Sequence, residues 1–321
     1  MKLLCSKWIP DELKEEFRTE FDIECPKTPD AAYEKDVLFK KLADADVFFS
    51  IAGTPVSREL IDAGKKLRMI ASLGVGYDHV DVAYASEKKL PVVNSPTTVS
   101  DPTAEHTFAL IMGIFHNLYG YTVDVKRGIW ENHPFGDVQT SICGHTLGIV
   151  GMGRIGRCVA RKAVALGMSV QYYDPYPMSA EAEKELQITS VSLEELLRTS
   201  DCITIHVPFT KDNYHMFDAE KIAMMKDGAY VVNASRGALL DLDALTAALK
   251  SGKLKGAALD VFEPEPYLSS EIFELQNVIL TPHVASETRN ARVNMARECL
   301  NGLVALRRNE KPKNLINPEV L

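Results

Sequence analysis

The sequence predicts an α/β protein built on parallel sheets, and three observations carry that expectation. Short apolar runs rich in Val, Ile and Tyr alternate with amphipathic helical stretches along all 321 residues. Tight hairpin signals do not separate the runs, so successive strands need crossovers and lie parallel, with helices on both faces of the sheet. A glycine-rich turn, "GMGRIG" (151–156), follows one run and opens a helical stretch.

In the first third the runs are "KLLC", "FDIEC", "DVFFSI", "LRMIAS" and "PVVN", separated by helical segments at 11–20, 57–65 and 81–88. A second series begins at residue 146 with "TLGIV", "SVQYY", "ITIHV", "YVVN", "GAALD" and "VILTP". Six runs suffice for a complete doubly wound dinucleotide-binding sheet. Two long helices join the series. The segment 103–121 carries Phe108, Ile111, Met112, Phe115, Leu118 and Tyr119, apolar over much of its girth, and is expected to be buried between domains or in a subunit interface. The segment 288–307 sets Ala296, Cys299, Leu300, Leu303 and Val304 on one face and is expected to return to the first domain.

The glycines Gly151, Gly153 and Gly156 have G-x-G-x-x-G spacing. Alone that pattern is weak, but an apolar strand precedes it, small residues (Cys158, Ala160) follow it, and the next strand ends at Asp174. This is the context of a Rossmann-type fingerprint. The first glycine permits the turn, the second lets the backbone approach a pyrophosphate, and the third packs helix on strand. Asp174 is placed to accept hydrogen bonds from the adenosine ribose. No Arg or Lys occurs from 175 to 183 to receive a 2′-phosphate, which favours NAD over NADP.

In open parallel sheets, ligands bind beyond the carboxyl ends of the strands. There "YVVNASRG" delivers Arg236, "GAALDVFEPEP" delivers Asp260 and Glu265, and "VILTPH" delivers His283. Singly each has a bland reading, as a turn residue, a surface acid or a packing histidine. Together they compose a hydride-transfer site. Histidine suits proton donation to a developing alkoxide at neutral pH, a carboxylate beside it holds the imidazolium, and arginine clamps a carboxylate and polarises a carbonyl. Asp260 is expected to face the nicotinamide. The implied substrate is a small 2-oxo acid.

These stretches, with "GVGYDHVD" (74–81), "TAEHTFALIM" (103–112) and "DCITIHVPFT" (201–210), resemble the D-isomer-specific 2-hydroxyacid dehydrogenases over nearly the whole chain. The resemblance implies that Arg236, Glu265 and His283 are catalytic and that the Val75–Gly76 backbone holds the substrate carboxylate, with Arg236 also on the substrate. It sets Arg154, Ile155, Asp174, Val207, Ala234 and Asp260 at cofactor-contacting positions. His206, before the Val207–Pro208 loop, is the one remaining histidine placed near NAD; His79, His106, His116, His133, His145 and His215 are read as structural or solvent-facing. The implied fold is a flavodoxin-like, discontinuous substrate domain (1–100 and 288–321) around a central Rossmann-type NAD domain (101–287), as a homodimer. Two departures stand out: Thr97 where many relatives have glycine, and "HVASET" without the paired glycines common after the catalytic histidine.

The expected activity is NADH-dependent, reversible reduction of a glyoxylate- or hydroxypyruvate-like oxo acid to the D-2-hydroxy acid. D-lactate or phosphoglycerate dehydrogenation and an NAD-sensing corepressor role are the alternatives. A net charge of −8 without a basic block speaks against nucleic acid, and "FALIMGIF" (108–115) is too short to span a bilayer. Six cysteines without a CxxC pair fit free thiols in a reducing cytoplasm, and no spacing points to a metal.

Overall fold

Both series of runs form wholly parallel sheets in the computed structural model, which describes residues 1–130, 139–267 and 271–321. The chain divides into two compact units, Met1–Val99 with Glu287–Leu321, and Ser100–Ser286. In the first unit the strands are β1 (Lys2–Cys5), β2 (Asp22–Glu24), β3 (Val47–Ser50), β4 (Met69–Ser72) and β5 (Val92–Val93). Their order, β2-β1-β3-β4-β5, is that of flavodoxin-like sheets.

The second unit contains β6 (Thr146–Val150), β7 (Ser169–Tyr173), β8 (Ile188–Ser190), β9 (Cys202–Ile205), β10 (Ala229–Asn233), β11 (Leu254–Leu259) and β12 (Val278–Leu280). They lie in the order β12-β11-β10-β9-β6-β7-β8. This is the Rossmann order extended by one strand, and its switch point, where ligands bind, falls between β6 and β9. The seventh strand, β8, was not among the six expected runs. It is a three-residue edge strand with one side chain, Ile188, buried, so it lacks the apolar run that marks the others.

Central strands such as β3, β4, β9 and β10 are buried at every residue, as strands covered on both faces must be. Each buried Val, Ile, Leu or Phe side chain contributes about 1.5–3 kcal/mol. The helix Arg289–Arg307 starts at Thr288, whose side chain accepts the Ala291 N–H. It packs Val293, Ala296, Cys299, Leu300 and Leu303 against Leu3, Phe49, Ala71 and Val93, and so completes the first unit's core.

The expected continuous helix over 103–121 is instead two helices, Ser100–Phe115 and Leu118–Lys126. Asn117 breaks it with φ +48, a left-handed conformation that asparagine tolerates. Most of the first helix's apolar side chains, among them Phe108, Leu110, Ile111, Ile114 and Phe115, are buried in the second unit's own core. The apolar residues left exposed follow the break: Leu118, Tyr119, Val125, Ile129 and Trp130, the last 86% exposed. Among the described residues no helix is long and apolar enough to cross a membrane.

Candidate active site

The glycine loop leaves β6 beside the start of the loop that follows β9. Gly151 has φ +100, and a Cβ there would lie 2.7 Å from the His206 carbonyl, so only glycine fits. At Gly156 a Cβ would sit 2.2 Å from the Gly151 oxygen, which is why the helix Arg154–Ala165 can begin directly against the loop. Gly153 differs from both. A Cβ there would meet nothing within 4 Å, so the backbone at this helix N-terminus faces open space.

Arg154 is exposed and Ile155 half-buried at the first turn of that helix. Asp174, just beyond β7, accepts the Met152 N–H on Oδ2 and the Tyr176 N–H on Oδ1, each at 2.8 Å. It therefore braces the glycine loop, a role the sequence reading missed. A carboxylate has about four acceptor positions, so capacity remains for a ribose diol. The hollow at Gly153, the helix N-terminus and this carboxylate fit a dinucleotide.

On the other side of the switch point, the His206 N–H donates to Val150 O at 2.7 Å. Its Nε2 lies 2.9 Å from Thr204 Oγ1, and burial lowers its pKa to about 4, so the ring is neutral at physiological pH. Val207 is tied to the next loop by the Ser235 hydroxyl, which donates to Val207 O. Pro208 is exposed beyond it, and Ala234 follows β10, half-buried.

Arg236, Glu265 and His283 all belong to the second unit. Asn233 Nδ2 donates to Arg236 O at 2.9 Å, and an Arg236 guanidinium nitrogen donates to Ser235 O at 2.7 Å. The next residue, Gly237, lies so close to Phe262 that a Cβ would fall 2.0 Å from its carbonyl carbon. That close approach lays the Arg236 segment against the one leading to Glu265.

Glu265 Oε1 accepts the Phe262 N–H at 2.9 Å, and Oε2 lies 2.7 Å from His283 Nδ1. Burial pushes the Glu265 pKa up, but the hydrogen bonds from His283 and Phe262 and the charges of His283 and Arg236 outweigh it. The carboxyl is held below its ordinary value and is ionised. An ionised carboxylate only accepts, so Nδ1 carries the proton of this pair. Nε2 is then the nitrogen able to hand a proton to a ligand, and the half-exposed ring is accessible.

His283 has φ +56, in the left-handed region. Asp260 holds the loop in this shape. Its backbone oxygen accepts the His283 N–H at 2.7 Å, Oδ1 accepts Thr281 Oγ1 at 2.6 Å and the Val284 N–H at 2.9 Å, and Oδ2 accepts the Ala285 N–H at 2.9 Å. The sequence reading aimed Asp260 at the nicotinamide; the structure turns its fully buried carboxylate into the 281–285 loop. His106, read from sequence as structural or solvent-facing, reaches the same network, with Nε2 3.2 Å from Thr281 Oγ1. His133 lies outside the described residues.

In the first unit, the loop after β4 contains Val75 and Gly76. Asn94 Nδ2 donates to Val75 O at 2.9 Å, and the Gly74 N–H donates to Ser95 Oγ at 2.8 Å. Val75 is exposed on a loop pinned at two points by the segment after β5. Thr97, the departure from glycine, donates its hydroxyl to Glu298 Oε1 at 2.6 Å and anchors its loop to the helix Arg289–Arg307.

Residues 108–285 match the family model described as D-isomer specific 2-hydroxyacid dehydrogenase, NAD binding domain. The chain belongs to the D-isomer-specific 2-hydroxyacid dehydrogenases. Members of this family are NAD-dependent oxidoreductases, and the second unit holds the family's NAD-binding domain. A glyoxylate reductase from Thermococcus litoralis is 38% identical over 100% of this chain and 98% of its own. The structure of a glyoxylate reductase from Paecilomyes thermophila is 29% identical with a TM-score of 0.87, covering 99% of this chain and 98% of that one. That of D-lactate dehydrogenase from Aquifex aeolicus, complexed with NAD and lactic acid, is 30% identical with a TM-score of 0.84, covering 98% of this chain and 99% of that one.

Proposed function

We propose that the protein reduces a small 2-oxo acid of the glyoxylate or hydroxypyruvate type with NADH, reversibly, giving the D-2-hydroxy acid. The observation that carries this reading is the 2.7 Å Glu265–His283 pair beyond the carboxyl edge of the dinucleotide sheet. A nicotinamide cofactor held by the second unit would supply the hydride chemistry. His283, its Nδ1–H held by Glu265, donates a proton from Nε2 to the developing alkoxide. Arg236 is suited to clamp the oxo acid and polarise its carbonyl, and its guanidinium is oriented by the Ser235 carbonyl. In the first unit, Val75 and Gly76 offer backbone N–H groups for a substrate carboxylate, the role their resemblance to the family gives them.

For the cofactor, the helix N-terminus behind Gly153 would receive the pyrophosphate and Asp174 the ribose diol, with Arg154, Ile155, Val207, Pro208 and Ala234 at the positions the resemblance to the family gives to cofactor contact. The 206 imidazole stays neutral there. The first unit acts as the substrate-binding domain. The molecule is a cytoplasmic homodimer in this reading. Six free cysteines support the reducing compartment, and the exposed apolar residues from Leu118 to Trp130 support a covered face.

Steady-state NADH oxidation against a panel of 2-oxo acids tests the function. Turnover highest with glyoxylate or hydroxypyruvate is the expected outcome. A best rate with pyruvate would move the assignment to D-lactate dehydrogenation, and tight NADH binding without turnover on any oxo acid would leave a sensor role.

A further inference from the structure

We infer that His106 is a positioning residue for His283: it is the first donor of a chain, His106 to Thr281 to Asp260, that sets the loop carrying the proton donor. The inference rests on His283 being the general acid. The direction of the chain follows from proton count. Thr281 Oγ1 lies 2.6 Å from Asp260 Oδ1. Burial raises the Asp260 pKa, but the hydrogen bonds from His106, Thr281, Val284 and Ala285 outweigh it and hold the group below its ordinary value. The carboxylate therefore only accepts, and the single hydroxyl proton of Thr281 points to it. Toward His106, 3.2 Å away, the same oxygen has only lone pairs left, so His106 Nε2 must be protonated and donate. The 3.5 Å approach of Nε2 to Asp260 Oδ1 agrees with a donor.

The consequence reaches the catalytic ring. Asp260 accepts the Val284 and Ala285 N–H groups on its carboxylate and the His283 N–H on its backbone oxygen, and these bonds flank a residue held at φ +56. That conformation is unfavourable for histidine on its own and persists only when its surroundings over-determine it. His106 stands on the helix Ser100–Phe115, buried along most of its length in the sheet's core, and passes that rigidity to the loop. Without the donor, Thr281 can rotate its hydroxyl, Asp260 Oδ1 loses an aligned partner, and the Nε2 atom of His283 is no longer held in one place.

The test compares His106→Leu, His106→Gln and Thr281→Val with His283→Ala in full-length protein, measuring kcat, KM, NADH affinity and Tm. His106→Leu is expected to lower kcat about 10-fold, as a small misplacement of a catalytic group does, with NADH affinity unchanged. His106→Gln retains an N–H donor and is expected to restore kcat to within about 3-fold of wild type. Thr281→Val is expected to match His106→Leu, and the double variant to be no worse than Thr281→Val alone, because both cut one chain. Wild-type kcat in His106→Leu, a Gln variant as slow as the Leu variant, or additive losses in the double variant would each overturn the chain. If instead His283→Ala keeps its kcat, the general-acid reading itself falls, and the positioning role falls with it.

Discussion

Replacing Gly153 by alanine separates what the glycine loop does for the fold from what it does for the cofactor. Gly153 has φ −71 and ψ −162, extended backbone open to any residue, and its added Cβ would meet no protein atom within 4 Å. Alanine is a poorer N-cap than glycine by about 0.5–1 kcal/mol, while the loss of unfolded-chain freedom returns about 0.4–1 kcal/mol. The two nearly cancel, so the cofactor-free protein should melt within about 2 °C of wild type. NADH binding should respond differently, because the methyl group takes the space assigned to the pyrophosphate. Losing two charge-assisted contacts from the helix N-terminus, at about 1.5–3 kcal/mol each, raises Kd roughly 10²–10⁴-fold. Gly156→Ala is the contrast. Its Cβ would lie 2.2 Å from the Gly151 oxygen, so the helix must shift and the cofactor-free protein itself loses about 1–3 kcal/mol. Calorimetry of the cofactor-free variants and a fluorescence titration with NADH measure both quantities. A Gly153→Ala variant that binds NADH within about 3-fold of wild type would refute the pyrophosphate seat.

Asp174→Ala should narrow the preference for NADH over NADPH in kcat/KM, by removing the repulsion of a 2′-phosphate. It should also lower Tm, since the Met152 and Tyr176 N–H groups lose their acceptor. Glu265→Gln should move the alkaline limb of kcat/KM for oxo acid reduction to lower pH, because the protonated donor loses its ionised partner; an unmoved limb would uncouple the two residues. Asp260→Asn should destabilise by about 1–3 kcal/mol at neutral pH, because an amide cannot accept all the donors aimed at that carboxylate. The wild-type carboxyl titrates below the ordinary aspartate value of 3.8, so its stabilisation is present above that pH and fades as pH falls through the folded value. The Tm difference should therefore shrink in acid. Light scattering at micromolar concentration should give twice the 35.6 kDa chain mass, and Trp130→Lys should shift it toward monomer.

The parallel architecture was readable because central strands such as "YVVN" and "CITI" are mostly apolar and buried at every residue, a local property of the sequence. The glycine fingerprint was equally local, since its three residues act within one turn. The edge strand β8 escaped because only Ile188 of its three residues needs burial. The break at Asn117 escaped because neighbouring residues kept an apolar helical pattern across it. At the site, strand ends told which residues gather but not where their side chains turn. Asp260 illustrates the difference: its position at the end of β11 was legible, whereas its carboxylate direction depends on N–H groups 24 and 25 residues away. His106 meets Thr281 across 175 residues, a contact that leaves no periodic trace in either segment.

The first unit is split in the chain, and this has a consequence for synthesis on the ribosome. Strands β1 to β5 emerge early, but the helix that covers Leu3, Phe49, Ala71 and Val93 is translated only after Ser100–Ser286. At about 5–20 residues per second that interval lasts roughly 10–40 s. The second unit has all of its own residues by then and can close in order. The early sheet meanwhile holds one apolar face open, without the Ile316 and Asn317 hydrogen bonds that later secure Val92. A nascent chain stalled in that window presents a greasy, half-built sheet to chaperones and to other nascent copies of itself.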